Sequence, residues 1–483
     1  MVAYRHLCVF LICCRQRVLL PLATCVHQRK HDMKYLLCLA LACPAWYIFF
    51  PEKPLPPAQV TVFRNATVID GNGGTPATHT DIRVENGVIV GVGRSLDTTG
   101  ARIVDMTGKT IMPELISTHT HIGTLKGTQT NGQNYTRDNI LPQLKKYESF
   151  GVGNILVMGS DRPMLFASGL RDSCTGGLLP GALLHTAGYG FGVPDNAPPA
   201  AAGLDKVFRP ATAAEVPAMM DEVARLHPDV IKMWVDDFGG RFRKMDPEVY
   251  TMVIRQAHAH GLRVASHLYY LADARKLVAA GLDIIAHSVR DSVIDDALLR
   301  EMKKRHVLYI PTLSLDEFAY IYARKPEWIN DAFFKASLEP GVYEMITSPK
   351  YQEDIKNSPD YQRNRKAFEI ALQNVKRVYD AGIEVCLGTD SGATPLRAQG
   401  FSEHLELELL VQSGLTPLQA ITVGTRNAAR LLKIDNRYGT LQKGRSASFI
   451  ILQKDPVQDI RNSRSIEAVY RSGVLVSKGP LAQ

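Results

Sequence analysis

The chain has 483 residues, of which 45% are hydrophobic, 8% aromatic and 22% charged, a composition that excludes a disordered, collagenous or polytopic membrane protein. That length accommodates one large α/β domain and a smaller one. The formal net charge of +8 is concentrated at the start, where Arg5, Arg15, Arg17, Arg29, Lys30 and Lys34 face the single acid Asp32, and too little remains elsewhere for a nucleic-acid surface.

The first element is a targeting segment. Leu36 to Phe50 is a nearly unbroken apolar run without charge, preceded by Arg29, Lys30 and Lys34. Basic residues ahead of such a run predict a cytoplasmic N-terminus with the rest translocated. The run is shorter than the about 17–25 residues of a spanning helix. Pro44 interrupts it, and Pro51, Pro54, Pro56 and Pro57 follow as a stiff linker. A signal anchor, a cleaved signal peptide and a lipoprotein signal using Cys43 all fit, and Met33 is as good a start as Met1. Residues 1–57 are therefore read as a leader, a signal or anchor segment and a linker, on an exported, periplasmic or extracytoplasmic, membrane-anchored protein. Of the eight cysteines only Cys174 and Cys386 lie beyond residue 43. They make no disulfide framework and read as buried small hydrophobes.

From Val60 the chain alternates short β-rich segments with turns. Val60–Ile69, Asp81–Val84 and Val88–Val92 read as strands, the last two joined by an Asn86-Gly87 hairpin turn. Apolar runs then alternate with helical patterns: Thr110–Ile116, Gly153–Met158, Ala182–Thr186, Val230–Val235, Arg263–Ser266, Asp283–Ala286, Val307–Pro311 and Glu384–Gly388. Amphipathic helices such as Asp246–His260, Asp273–Ala280 and Gln362–Ala381 lie between them. This is an α/β pattern of βα units, and it predicts a (β/α)8 TIM barrel over residues 110–436 with functional groups at the C-terminal strand ends. Ala447–Leu452 and Ile466–Val476 return to strands. Residues 58–109 and 437–483 are expected to form a small β-sandwich from both ends of the chain. The aromatic-rich segment Thr312–Tyr361 is read as helical and capping the barrel mouth, with Tyr320 and Tyr322 shaping the substrate pocket; a packed surface insertion is the alternative.

The first barrel strand ends in His119-Thr120-His121. Side chains in a strand have period two, so both imidazoles point the same way and suit a divalent ion such as Zn²⁺. Lys232 lies inside the apolar run Val230–Val235, where an unpaired ammonium is costly. It needs a partner or a modification, unless its stem packs and its head escapes to the mouth. His267, His287 and Asp390 end later strands. Singly each is a polar core residue or a cap; together they put four histidines, a lysine and an aspartate at one end of one barrel.

These residues resemble the amidohydrolase superfamily, in its imidazolonepropionase-like and prolidase-like branch. The motifs are Ile111-Met112-Pro113-Glu114-Leu115-Ile116-Ser117-Thr118-His119-Thr120-His121, Ile231-Lys232, Ser266-His267, Ala286-His287-Ser288 and Gly388-Thr389-Asp390. The tail adds Gly414-Leu415-Thr416-Pro417 and Asn427-Ala428-Ala429-Arg430-Leu431-Leu432. Glu114 stands where the family usually has Gly and Ser448 where it usually has Asp.

The resemblance implies two divalent metal ions, with Zn²⁺ the expected species. His119 and His121 would hold one, His267 and His287 the other, a carboxylated Lys232 would bridge them, and Asp390 would bind the first beside a bridging hydroxide. Asp390 is the implied catalytic proton carrier. The implied activity is hydrolysis of amide-type carbon–nitrogen bonds in small amides, N-acyl amino acids or dipeptides. A lactonase or phosphotriesterase-like hydrolase, or a non-catalytic metal-bound scaffold, is the alternative.

Tyr189, in the Gly188–Gly192 loop, and Tyr269, Tyr270 and Arg290 are candidate substrate contacts. Arg290 would meet a substrate carboxylate or pair with Asp291 or another acid. Asp236 and Asp237 are partners of the ligands or a helix cap, and His185, His258, His260 and His404 are structural. The expected partners are a small-molecule or short-peptide substrate and a second copy of the chain, with no nucleic acid.

Overall fold

The computed structural model describes residues 60–194, 197–199 and 203–482. The expected signal segment and linker lie outside the described residues. Among the described residues no helix is long and apolar enough to cross a membrane.

Strands β1 (Val60–Val68), β2 (Ala77–Glu85) and β3 (Val88–Gly93) form an antiparallel meander. Asn86 and Gly87 take positive φ of 49° and 81°, the backbone that a two-residue hairpin between right-twisted strands requires. Strands β4 (Arg102–Asp105) and β5 (Thr110–Pro113) both run parallel to β1. The end of the chain joins them: β15 (Phe449–Leu452) lies antiparallel to β5, with Ile450 opposite Met112, and β16 (Ile466–Arg471) and β17 (Val474–Ser477) extend the sheet. One eight-stranded sheet thus contains both ends of the described chain. Its buried face carries Phe63, with the rings of Phe449 and Tyr470 each edge-on at 4.9 Å.

Two expected strands are divided differently. Thr110–Ile116 is not one strand: residues up to Pro113 pair with β1 and β15, and β6 (Leu115–Thr120) starts a parallel sheet. An apolar run does not reveal which of two sheets it serves. Ile466–Val476 breaks at Ser472-Gly473, both at positive φ (46° and 74°), a second tight hairpin.

After the short ribbon β7 (Leu125–Lys126) and β8 (Gln129–Thr130), strands β9 (Val152–Val157) and β10 (Leu183–Thr186) pair in parallel with β6. Strands β11 (Ile231–Trp234), β12 (Val264–His267), β13 (Ile284–Ala286) and β14 (Leu308–Ile310) form a second parallel set. Parallel bridges Phe191↔Met233, Tyr309↔Val385 and Thr120↔Ser391 link these sets to each other and to the segments on either side of Asp390. Glu384–Gly388 contributes such bridges and amide bonds rather than a regular strand: Cys386 N–H donates to Tyr309 O at 2.9 Å, and Leu387 O accepts from Thr118 N at 2.8 Å. Ile116, Leu156, Ala265, Ile284, Ile310 and Cys386, from six of these segments, meet in one fully buried cluster.

Helices alternate with the strands because their apolar residues recur at helical spacing. Asp296–Lys304 buries Leu298, Leu299 and Met302 and is capped by Asp295, which accepts from Leu298 N at 3.0 Å. Tyr361–Asp380 buries Phe368, Ala371, Val375 and Val378. The Thr312–Tyr361 segment is helical as expected, with Leu313–Phe318, Ala332–Ser337, Val342–Thr347 and Pro349–Lys356. Tyr322, however, is fully buried and stacks on Phe318, and Tyr320 packs on Phe368. Neither lines the cavity described below. Apolar rings on short helices bury against the helix that follows more readily than they stand at a wet mouth.

Candidate metal centre

The ends of the parallel strands bring the expected ligands together. His119 and His121 leave β6 on one face, and Asp390 Oδ1 lies 3.2 Å from His119 Nε2 and 2.8 Å from His121 Nε2. The His287 ring stands 4.6 Å from that of His119 and 4.3 Å from that of His267. Ligand atoms of His119, His287 and Asp390 all lie within 4.8 Å of one another.

The local backbone is set for this. His287, Asp390 and Thr312 adopt left-handed φ of 73°, 58° and 51° directly after strand segments. Such conformations cost about 1–3 kcal/mol each and persist where surrounding structure enforces them.

Three ligand candidates have a hydrogen-bond partner that orients the ring. His121 Nδ1 is 2.7 Å from Ser160 Oγ, His287 Nδ1 is 2.8 Å from Thr312 Oγ1, and His267 Nε2 is 2.9 Å from Asp236 Oδ2. A fixed partner on one nitrogen sets the tautomer and leaves the other for a ligand. Phe238 stacks on His267 at 5.2 Å. Burial drives His119 down to about 3, with the Lys232 charge assisting, and burial also lowers His267 and His287. These imidazoles are neutral, the form that binds metal. Burial by itself would raise Asp390, but Arg397, then His121 and His119, outweigh it and hold the carboxylate well below its ordinary range. Asp236 is likewise held at about 2: burial opposes, and the hydrogen bond and charge of His267 prevail.

Lys232 is fully buried and its Nζ has no hydrogen-bond partner; neither has His119 Nδ1. Burial, only partly offset by Asp390, pulls the ammonium down to about 7. Its stem lies against Gly159, where a Cβ would approach Lys232 Cβ to 2.8 Å at a φ of +78°. Two orphaned nitrogens beside neutral imidazoles and an ionised carboxylate form a donor set that fits borderline divalent cations such as Zn²⁺.

Five of the six metal-ligand candidates thus line one cavity, Lys232 lies fully buried and is not part of its lining, and the substrate candidates divide. A cavity of about 440 Å³ is lined by His119, His121, His267, His287 and Asp390 together with Tyr269, Tyr270 and Trp234. Arg290 borders it but is committed: Nη1 donates to Asp316 Oδ1 at 2.9 Å and Nη2 to Leu268 O at 2.9 Å, in a buried pair. Asp291 instead accepts from Leu271 N at 2.8 Å. Tyr189 does not line the cavity; it packs edge-on against Phe166 and Phe208. Its segment is no free loop either, since Phe191 N–H donates to Lys232 O at 2.8 Å and Phe191 O accepts from Trp234 N at 3.0 Å. His185, His258, His260 and His404 are paired away from the centre, with Asp229, Asp283, Asp221 and the Phe150 carbonyl.

Sequence reasoning overlooked Ser160, Thr312 and Arg397. Ser160 follows β9 by three residues and Thr312 follows β14 by two, a weaker form of the signal that identified His287. Arg397, which pairs with Asp390 Oδ2, carried no such signal.

Residues 110–476 match the model of the family described as the Amidohydrolase family. Ochratoxinase of Aspergillus niger is 26% identical over 251 residues, 50% of this chain and 44% of that protein. Imidazolonepropionase of Agrobacterium fabrum is 29% identical over 246 residues, 49% of this chain and 50% of that one. The chain thus matches about half the length of these curated relatives. Among solved structures, a putative prolidase from Bifidobacterium longum superposes with a TM-score of 0.69 at 23% identity, covering 89% of this chain and 97% of that one. That likeness carries the α/β, TIM-barrel class of fold.

Proposed function

The chain belongs to the amidohydrolase family, and on that premise we propose that it is a metal-dependent hydrolase of amide-type carbon–nitrogen bonds in N-acyl amino acids, dipeptides or other small amides. The observation that carries this reading is the convergence of His119, His287 and Asp390, together with a buried Lys232 whose Nζ has no hydrogen-bond partner. The relatives' names, an ochratoxinase and an imidazolonepropionase, support it. The reading includes a closed (β/α)8 barrel and a small β-sandwich built from β1–β5 and β15–β17.

His119 and His121 would hold one divalent ion, His267 and His287 a second, with Asp390 on the first and Lys232 between them. When bound, such ions polarise a carbonyl and acidify water. The chain's own residues supply the rest. With its ammonium drawn down to about 7, Lys232 presents much neutral amine near neutrality. The ammonium sheds one proton, and the neutral amine then adds to CO₂, forming an N–C bond as a C–O π bond opens and releasing a second proton. An anionic carbamate thus replaces the buried cation. Asp390, held ionised by Arg397, accepts a proton from water and returns it to the leaving nitrogen. Tyr269 and Trp234 border the cavity.

A hydrolysis screen of dipeptides, N-acyl amino acids, lactones and phosphotriesters with metal-loaded protein tests the reading. Turnover of amides sustains it; turnover of lactones or phosphotriesters alone replaces it, and no turnover favours a scaffold. We also propose that the N-terminal segment exports and anchors the chain. Membrane fractionation of the full chain against one starting near Pro56 tests that, and equal distribution would refute it.

A further inference from the structure

The mouth of the cavity carries a charge arrangement that the metal centre does not use. Asp360 receives two guanidiniums: Arg241 Nη2 reaches Oδ2 at 2.9 Å and Arg363 Nη2 reaches Oδ1 at 3.2 Å. Arg241 comes from the loop after β11, and Asp360 and Arg363 from the start of the helix Tyr361–Asp380. All three line the same cavity as His119, His287 and Asp390.

One carboxylate balances one guanidinium, so the trio keeps one positive charge. The N-terminal end of a twenty-residue helix adds partial positive charge at the same place. The cations deeper in the cavity are already matched, Arg290 by Asp316 and Arg397 by Asp390. Nearby Lys244 lies 2.7 Å from Asp273 and 3.9 Å from Asp237, and Asp236 on the cavity wall faces His267, so none of these is a free cation.

Arg363 is also seated rather than loose. Gly239 has a φ of +77°, and a Cβ there would meet Arg363 Nη1 at 2.6 Å, so the glycine leaves room for the guanidinium against the loop. Phe238 and Tyr269 stand on the same cavity wall and offer apolar surface between this rim and the metal ligands.

We propose that Arg241 and Arg363 form a carboxylate-binding subsite, so that the enzyme prefers amides with an apolar body and a free carboxylate reaching the mouth. The proposal rests on the hydrolase reading above and narrows its substrate class. A planar guanidinium donates two parallel N–H bonds to the oxygens of a carboxylate. A second carboxylate beside Asp360 completes two charges against two. Arg290, the cation that the sequence suggested for this task, is spent on Asp316.

The probes are N-benzoylglycylphenylalanine and its C-terminal carboxamide, with the metal-loaded full-length protein. Both arginines are largely exposed, 66% and 46%, so an Arg241→Gln/Arg363→Gln double variant leaves the core packing alone. The expected acid-to-carboxamide ratio of kcat/KM is about tenfold or more, expressed mainly in KM. It falls close to one in the double variant, and Arg363→Lys, which keeps the charge, retains most of it.

Calorimetric binding of the two intact compounds separates the subsite from the chemistry. Preferential binding of the acid that the double variant loses, without hydrolysis of either compound, sustains the subsite and sinks the hydrolase reading. Hydrolysis with no preference, or a preference that survives the double variant, overturns the subsite and leaves the hydrolase standing. Absence of both hydrolysis and differential binding overturns both.

Discussion

Thr389 donates its hydroxyl to Glu403 Oε1 at 2.7 Å, one residue before Asp390. The same oxygen accepts Ser391 Oγ at 2.8 Å and Ser117 Oγ at 3.0 Å, while Oε2 accepts Gly400 N–H at 2.9 Å. One fully buried carboxylate therefore ties the strand leading into His119 to both neighbours of Asp390.

Removing that acceptor loosens the centre from beneath. Glu403→Ala removes the acceptor of three buried hydroxyls and of Gly400 N–H. Ser391 Oγ keeps Tyr147 at 2.7 Å and Thr389 Oγ1 keeps Ser391 N–H at 3.2 Å, while Ser117 Oγ and Gly400 N–H lose their partner. Each loss costs about 1–3 kcal/mol, so the expected loss of unfolding free energy is about 3 kcal/mol. Glu403→Gln keeps one acceptor oxygen but turns an NH₂ toward Gly400 N–H. It is expected to fold and to lose metal to a weaker chelator than the unsubstituted protein does. Metal analysis after graded chelation checks this, and identical retention would assign Glu403 to packing alone.

Lys232 is the sharpest test of the bridge. Lys232→Ala is expected to abolish activity and reduce metal content, and acetate or propionate to restore part of both by supplying a carboxylate in the vacated space. Lys232→Arg restores neither, because a guanidinium stays cationic. Two bound metals with near-normal turnover in Lys232→Ala would sink the carbamate mechanism.

Glu114 predicts a pH signature far from the ligands. It is buried, its Oε1 lies 3.5 Å from Arg471, and burial pushes its carboxyl up to about 7, with Arg471 opposing. Between the ordinary carboxylate range and pH 7 the folded chain holds a proton that the unfolded chain has released, so stability falls as pH rises through that window. Glu114→Gln removes this contribution. Denaturant unfolding is expected to show little change at pH 4 and a gain on the order of 3 kcal/mol at pH 8. An equal effect at both pH values would refute the assignment.

Tyr322→Ala is expected to act on stability rather than specificity. Its ring is fully buried against Phe318, and its hydroxyl donates to Leu396 O at 3.0 Å. Truncating a buried aromatic costs about 3–5 kcal/mol. A lowered melting temperature with unchanged KM across several substrates is the expected result; a shifted substrate preference at unchanged stability would return the residue to the pocket.

His119, His121, Lys232, His267, His287 and Asp390 stood out as candidates in the sequence because period two and strand endings are local properties, and a polar residue inside an apolar run or closing one is conspicuous. The turn at Asn86-Gly87 and the helix Tyr361–Asp380 were legible for the same reason. Tertiary structure alone decided that Arg290 meets Asp316 across 26 residues rather than the adjacent Asp291. It likewise decided that Tyr189 and Tyr322 turn into the core, and that Glu403 and Arg397 reach the loop around Asp390. Each of these depends on how one element is rotated and packed against another distant in the chain. That is settled by burial and charge pairing in three dimensions, and no local pattern records it.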